Sequence, residues 1–159
     1  MQVKSSYSAA QIALHWLIAA LILANYFLSE EMPEVFDHML EGEGGPTLGS
    51  TFHVWAGMAV LILSAIRMVV RFSAGVPGSA GDGLMDRAAR WAHGLLYLLM
   101  VLVPGLGAYS WFAGAESTAD LHQLTANLLI AVAGAHALAA LYHQYVLKDG
   151  LLSRMLRPN

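Results

Sequence analysis

The 159-residue chain is 57% hydrophobic and only 12% charged, a balance outside that of soluble domains and one that points to a membrane. It contains no cysteine, which excludes disulfides, thiolate zinc sites and iron–sulfur clusters bound by this chain. The net charge of −3 says little as a sum. Its distribution says more.

Length accords with one domain over residues 1–159. Four apolar spans stand out, at about 9–28, 52–72, 88–112 and 121–147. Each approaches or exceeds the roughly 20 residues that cross a hydrocarbon core of about 30 Å as a helix. The first follows Lys4 and could pass for a signal sequence. It has full membrane length and lacks a convincing small-residue cleavage site, so an uncleaved first helix is expected. No internal repeat or low-complexity segment is evident.

The basic residues set the orientation. Lys4 precedes the first span, Arg67, Arg71, Arg87 and Arg90 flank the second connection, and Lys148, Arg154 and Arg157 follow the fourth span. These account for all eight Lys and Arg residues. The opposite side holds Glu30, Glu31, Glu34, Asp37, Glu41, Glu43, Glu116 and Asp120, with no basic residue. By the positive-inside rule both termini are expected in the cytoplasm. The first external connection, 29–51, reads as a long acidic, Gly-rich loop, and the second connection, 73–83, on the cytoplasmic side, as a flexible Gly/Ser/Pro linker. Pro104, with Gly105 and Gly107, predicts a kink in the third span rather than its end. The expectation is an all-α integral membrane protein, an up-down-up-down four-helix bundle.

Histidines give this bundle its chemistry. His122, His136 and His143 lie fourteen and then seven residues apart in the last span. At about 100° and 1.5 Å per residue they share one stripe, with His122 and His136 roughly 21 Å apart along it. Ionisable groups at membrane depth are costly and usually face a bundle interior, a cofactor or a partner. Two imidazoles at opposite depths therefore call for two second ligands. His15 lies eleven residues after Lys4 and His136 twelve before Lys148, so these two match in depth. His53 and His122 both lie just inside the external ends of their spans. The residue four places after each of the four is small: Ala19, Gly57, Ala126 and Ala140. That leaves room for a flat macrocycle close to the helix. After His93 and His143 the same position holds Tyr97 and Leu147.

Paired imidazoles without cysteine or a carboxylate cluster suit low-spin b-type haem iron better than zinc, which wants three or four ligands at one depth. No C-x-x-C-H motif is present, so covalent attachment is excluded. A lone histidine in a span is as often structural as a ligand. Four that pair by depth across three helices argue for two haem b groups, His15/His136 inner and His53/His122 outer.

These features resemble the bacterial cytochrome b561 family, over nearly the whole chain. The resemblance rests on IALHW, on FHVWAGM followed by R-x-x-x-R, on AHGLLYLLMVLVPGLG, and on LHQLTANL with AHALAALYHQYVLKDGLLSRM. It implies four transmembrane helices of the bacterial inner membrane and two b haems linking a quinone site to the opposite face, with ligands at His15, His53, His122 and His136. Ubiquinone is the implied quinone, and an external redox protein or superoxide the implied donor. One branch is similar to superoxide oxidase, which reduces ubiquinone with electrons from superoxide. Against that branch, the external loops carry eight carboxylates and no cation, a surface that repels an anion and suits a basic redox protein.

Near the basic end, His93, His143 and Arg90 are candidates for a quinone site, with Trp91 and Tyr142 beside them; holding propionates or snorkelling would equally explain the two histidines. Arg67, Arg71 and Lys148 are candidate partners of inner-haem propionates, although the positive-inside rule alone accounts for their presence. Trp16, Trp55, Trp91 and Trp111 fit the interfacial aromatic belts, and His38 a solvated loop position. No catalytic residue is assigned and no nucleic-acid partner is expected. Two further readings remain at this stage: a haem-bearing anchor subunit of a dehydrogenase or hydrogenase, and a transporter or scaffold without haem.

Overall fold

The computed structural model describes residues 6–75 and 83–158; Lys4 and most of the 73–83 linker lie outside them. The first helix, α1 (Ala9–Phe27), begins where Ser8 accepts the Gln11 N–H while the Gln11 side chain reaches back to the Ser8 N–H. This capping box satisfies two donors that an apolar environment would leave expensive. Thr47 and Ser50 build the same box at the start of α3 (Leu48–Ala74). The box explains why α3 starts four residues before the apolar span: capping, not hydropathy, decides the first turn.

Helix α4 (Leu84–Ala113) passes straight through Pro104, so the proline does not end it. It stops at Gly114, which takes the left-handed conformation (φ 64°) that glycine adopts without a Cβ penalty. Helix α5 (Glu116–Tyr142) also starts earlier than its apolar span. Its expected last turn is not α-helical: His143–Leu147 forms a π turn, followed by a short 3-10 turn at Leu152–Met155.

The first external connection corrects the sequence reading. It is not simply a loop, because Met32–Leu40 forms a helix, α2, with Pro33 in its first turn and Phe36 buried. Proline is well placed there, since its missing N–H would have had no helical partner anyway. Phe36 stacks on Trp111 of α4 with ring centres 6.4 Å apart. Glu31, just before α2, accepts a hydrogen bond from Thr47. Helix α2 is thereby tied to the bundle end where α3 begins and α4 finishes.

The four long helices alternate in direction. At one end Gln11 Nε2 donates to the Gly75 carbonyl, Ser6 Oγ to the Arg157 carbonyl, and Trp16 Nε1 to the Met155 carbonyl. The start of α1, the end of α3 and the C-terminal turns therefore meet there. Every described Lys and Arg belongs to this end, and α2 with its carboxylates to the other. In closest contact are α4 with α5, α1 with α3, and α3 with α4. The α1–α5 side is joined by a hydrogen bond from Tyr26 to Asn127.

The core is small: Ile18, Val60, Leu99, Met100, Val103 and Leu129, with Ser64 wholly buried and donating to Met100 sulfur. Large apolar side chains such as Phe27, Val69 and Leu138 are about 70% exposed. All four long helices are long and apolar enough to cross a bilayer. Such exposed apolar faces are what lipid would cover, while serines such as Ser50, Ser64 and Ser110 are buried between the helices beside the apolar core.

Candidate functional site

Two histidine pairs lie at opposite depths of the bundle. In the inner pair, His15 of α1 and His136 of α5 have ring centres 6.4 Å apart, with planes at 81°. In the outer pair, His53 of α3 faces His122 of α5 at 5.9 Å and 86°. All four rings are half-buried. Imidazoles on opposite faces of one metal ion must stand about 6 Å apart, from two bonds of about 2 Å and about 1 Å of ring on each side. Both spacings fit that requirement.

The outer pair is held by identifiable contacts. His122 Nδ1 donates to the Val103 carbonyl of α4 at 2.8 Å. A carbonyl only accepts, so the bond places the ring proton on Nδ1 and leaves the Nε2 lone pair available to a metal. This close approach depends on Gly107: a Cβ there would lie 2.9 Å from His122 Cε1 and Nδ1. Across the site, His53 Nδ1 and Asn25 Oδ1 are buried without a hydrogen-bond partner, and the Asn25 backbone approaches the His53 ring. Gly57, one turn beyond His53, lets the Asn25 side chain pack, since a Cβ there would meet its amide nitrogen at 3.6 Å. The Asn25 backbone beside the His53 ring and the Asn25 side chain against Gly57 thus shape one wall of the outer site.

The inner site holds a third ring. His93 of α4 lies 5.0 Å from His136, and its Nδ1 donates to the Ala89 carbonyl at 2.6 Å. Arg67 lies close enough to act electrostatically on His15, His93 and His136 together. Its Nη1 also donates to the Gln11 carbonyl at 2.8 Å, and Arg71 stands 5.9 Å from the centre of the Tyr97 ring. Tyr7, Gln11, Arg67, Arg71 and Tyr97 line one small pocket between these groups. Among the described residues no set of three or more histidines and carboxylates is arranged to hold a bare metal ion.

The remaining sequence candidates separate. His143 turns to Asp149, its Nδ1 2.5 Å from Oδ2, and among the described residues no hydrogen bond or ring contact joins it to His93 or Arg90. Arg90 is exposed, as is Lys148, which ends the π turn in a left-handed conformation. Trp16 bonds to the Met155 carbonyl, Trp111 stacks on Phe36, and His38 lines an acidic pocket with Glu31 and Glu34. Sequence reasoning passed over Asn25, Val103, Gly107 and Asp149. Only Gly107 carried a signal, a glycine inside an apolar helix, and it was explained there by the proline kink.

A bundle of four helices long and apolar enough to cross a membrane, with imidazoles paired between them, is an architecture that suits a membrane cytochrome of the b type. The family model of prokaryotic cytochrome b561 matches residues 6–158, and the chain belongs to that family. It is similar to cytochrome b562 of Cereibacter sphaeroides, with 44% identity over 158 residues covering 99% of each chain. It is also similar to cytochrome b561 homolog 1 of Escherichia coli, 30% identical across 94% of this chain and 96% of that one. A probable superoxide oxidase of Yersinia pestis is 28% identical across 94% and 95%. No solved structure matches. The protein is thus a multi-pass membrane electron-transfer protein of bacterial type, in a family that carries b-type haem.

Proposed function

We propose that this chain is a diheme b-type cytochrome that passes electrons across the inner membrane between a periplasmic donor at its acidic end and ubiquinone at its basic, cytoplasmic end. The observation that carries this reading is the pair of facing imidazoles at each of two depths, 6.4 and 5.9 Å apart. His15 and His136 are the ligands of the inner haem, and His53 and His122 those of the outer one. Each haem iron supplies one-electron chemistry, with a potential set by its ligands and burial. The chain's own part is to fix the rings: Val103 and Gly107 seat His122, and Arg67 with Arg71 offers charge to inner propionates. The residues 1–159 act as one domain, with both termini in the cytoplasm.

The acidic outer face favours a cationic redox protein as donor. Glu34, Asp37, Glu41 and Glu43 belong to α2 and the turn after it, and no described Lys or Arg accompanies them. Superoxide oxidation is the second reading, favoured by the similarity to the Yersinia pestis protein. Ionic strength separates the two donors. Rising salt should slow reduction by a basic cytochrome, and should speed or leave unchanged reduction by superoxide.

Oxidised and reduced spectra of the detergent-purified protein, with a pyridine haemochromogen assay, test the main reading. Two b haems per chain are expected, with His136→Ala losing the inner and His53→Ala the outer. A variant that kept both haems would overturn the pairing, and a colourless protein the whole proposal.

A further inference from the structure

Beyond the inner imidazoles the chain builds an acid–base pair at the point where α5 stops being an α-helix. After Tyr142 the backbone widens into the π turn His143–Leu147, and Lys148 closes it at φ 54°. Lys148 is the sole non-glycine residue with positive φ among those described. Both departures are uncommon, and π turns within helices frequently accompany function. Their joint effect is to bring Asp149 back against the helix. The Asp149 N–H donates to the His143 carbonyl at 3.3 Å, its Oδ2 accepts from His143 Nδ1 at 2.5 Å, and its Oδ1 accepts the Leu151 N–H at 3.0 Å.

Each carboxylate oxygen is thus engaged and the group is oriented. Asp149 is held below the usual carboxylate range, first by the bond from His143 and then by the Leu151 N–H, and is an anion at neutral pH. An anionic carboxylate only accepts, so Nδ1 of His143 carries a proton and Nε2 is the nitrogen left for exchange. Nε2 has no hydrogen-bond partner among the described residues. The pair's other neighbours are Arg154, which acts on Asp149, and the Tyr142 ring, 6.4 Å from that of His143. Gln144, in the same π turn, bonds to Ser153 of the 3-10 turn. His143 is 24% exposed and lies seven residues past His136, about 10 Å along the helix. It is thus partly exposed at the end of α5 nearer the inner site.

We propose that Asp149 is a positioning residue for proton transfer, fixing the Nδ1–H form of His143 so that Nε2 delivers protons to a quinone at the basic end. This rests on the quinone exchange proposed above. Reducing a quinone to its quinol takes two electrons, one from each of the two reduced b haems proposed above, and two protons. Each O–H bond forms as the Nε2–H bond of protonated His143 breaks. Neutral imidazole remains, bonded through Nδ1–H to Asp149, and water at the exposed end restores the Nε2 proton before the second transfer.

The full-length haem-loaded protein, reduced and mixed with a short-chain ubiquinone, tests this by haem reoxidation against quinone concentration, alongside nitrogen-15 NMR of His143. Asp149→Asn should cut the maximal rate about tenfold, a part of what a general acid supplies, with haem content and half-saturating quinone unchanged. Asp149→Glu should restore most of the rate, and Asp149→Asn should add nothing to His143→Gln. NMR should find Nδ1–H in the parent and a tautomer mixture in Asp149→Asn. A slow His143→Gln beside a full-rate Asp149→Asn would overturn the positioning role while sparing the quinone reading. Full rates in both would remove His143 from the exchange, and no reoxidation in the parent would overturn the quinone reading and this proposal together. If Asp149→Asn lost haem, Asp149→Ser, which still accepts the Leu151 N–H, would carry the same comparison with the same outcomes.

Discussion

Replacing Gly107 by alanine adds one methyl group to α4, and the geometry says where it goes. The new Cβ would lie 2.9 Å from both Cε1 and Nδ1 of His122 and 3.4 Å from Nε2. No real Cβ tolerates the first two distances, and the ring is not a free end that can swing away. Its Nδ1 is bonded to the Val103 carbonyl, one turn back on the same helix. The ring must therefore leave that carbonyl. Losing the bond costs about 1 kcal/mol, and forcing a side chain from a packed position about 1–3 kcal/mol. Against this, alanine gains about 1 kcal/mol of helix propensity over glycine. The net effect on stability is small to moderate, but the effect on the outer site is large, because a metal ligand displaced by an ångström no longer serves as one.

Gly105 supplies the control, since a Cβ there meets nothing within 4 Å. Gly105→Ala should be neutral or slightly stabilising and keep both haems. Gly107→Ala should keep one haem per chain, with the surviving spectrum that of His53→Ala. Haem per chain by pyridine haemochromogen and the reduced spectrum decide the matter. Two haems with an unshifted spectrum in Gly107→Ala would refute the claim that this glycine seats His122.

Three other outcomes follow from contacts already described. Phe36→Ala removes the ring stacked on Trp111 and should release α2 at a cost of about 2–4 kcal/mol of local stability, read as faster proteolysis between residues 29 and 47 and a red shift of Trp111 emission; unchanged cleavage would mean α2 is held otherwise. Arg67→Gln takes a cation away from the three inner imidazoles, so a redox titration should show one haem potential falling while the other stays, because a nearby positive charge favours the electron-richer reduced state; equal shifts in both would contradict its placement. Asp149 should titrate below the ordinary carboxylate value of 3.8, since its anion accepts from His143 and Leu151. A depressed folded-state pKa means the pair's contribution is complete above that value and disappears as pH falls through the folded one; a carbon-13 carboxyl titration with its midpoint at or above 3.8 would deny the pairing.

Much of the fold was legible in the sequence because hydropathy and charge act over whole segments. A membrane span announces itself over about 20 residues, and the charge partition is visible without knowing a single contact. The depth pairing of His15 with His136 and of His53 with His122 needed only a helical rise per residue, and the structure brings the two rings of each pair to 6.4 and 5.9 Å between centres. Features that depend on a few residues were not legible. Helix α2 is nine residues long and is held in part by the stack of Phe36 on Trp111, a tertiary contact between segments about 75 positions apart. The π turn after Tyr142 has no sequence signature in an apolar run. Nor could spacing alone tell that His93 would approach His136 while His143 turned to Asp149, since both lie near the same end and differ only in which way the ring faces.

The unequal ends bear directly on direction. At the inner site one arginine acts on three imidazoles, while the outer pair has no cation in its described surroundings and lies at the end of the bundle where α2 bears Glu34 and Asp37 and the turn after it Glu41. Positive charge stabilises an added electron and negative charge opposes it; Arg67 acts from within the bundle, whereas the exposed carboxylates of α2 act through solvent and salt and count for less. The field built into the chain therefore runs downhill for an electron from the acidic face to the basic one. The acidic face cannot draw in an anionic donor by long-range attraction, whereas a cationic protein gains on approach what the electron gains on crossing. One arrangement of charge thus accords with both halves of the proposed function, a basic donor at the acidic end and an acceptor at the basic end. The acid–base pair at the basic end lies where such an acceptor would need its protons.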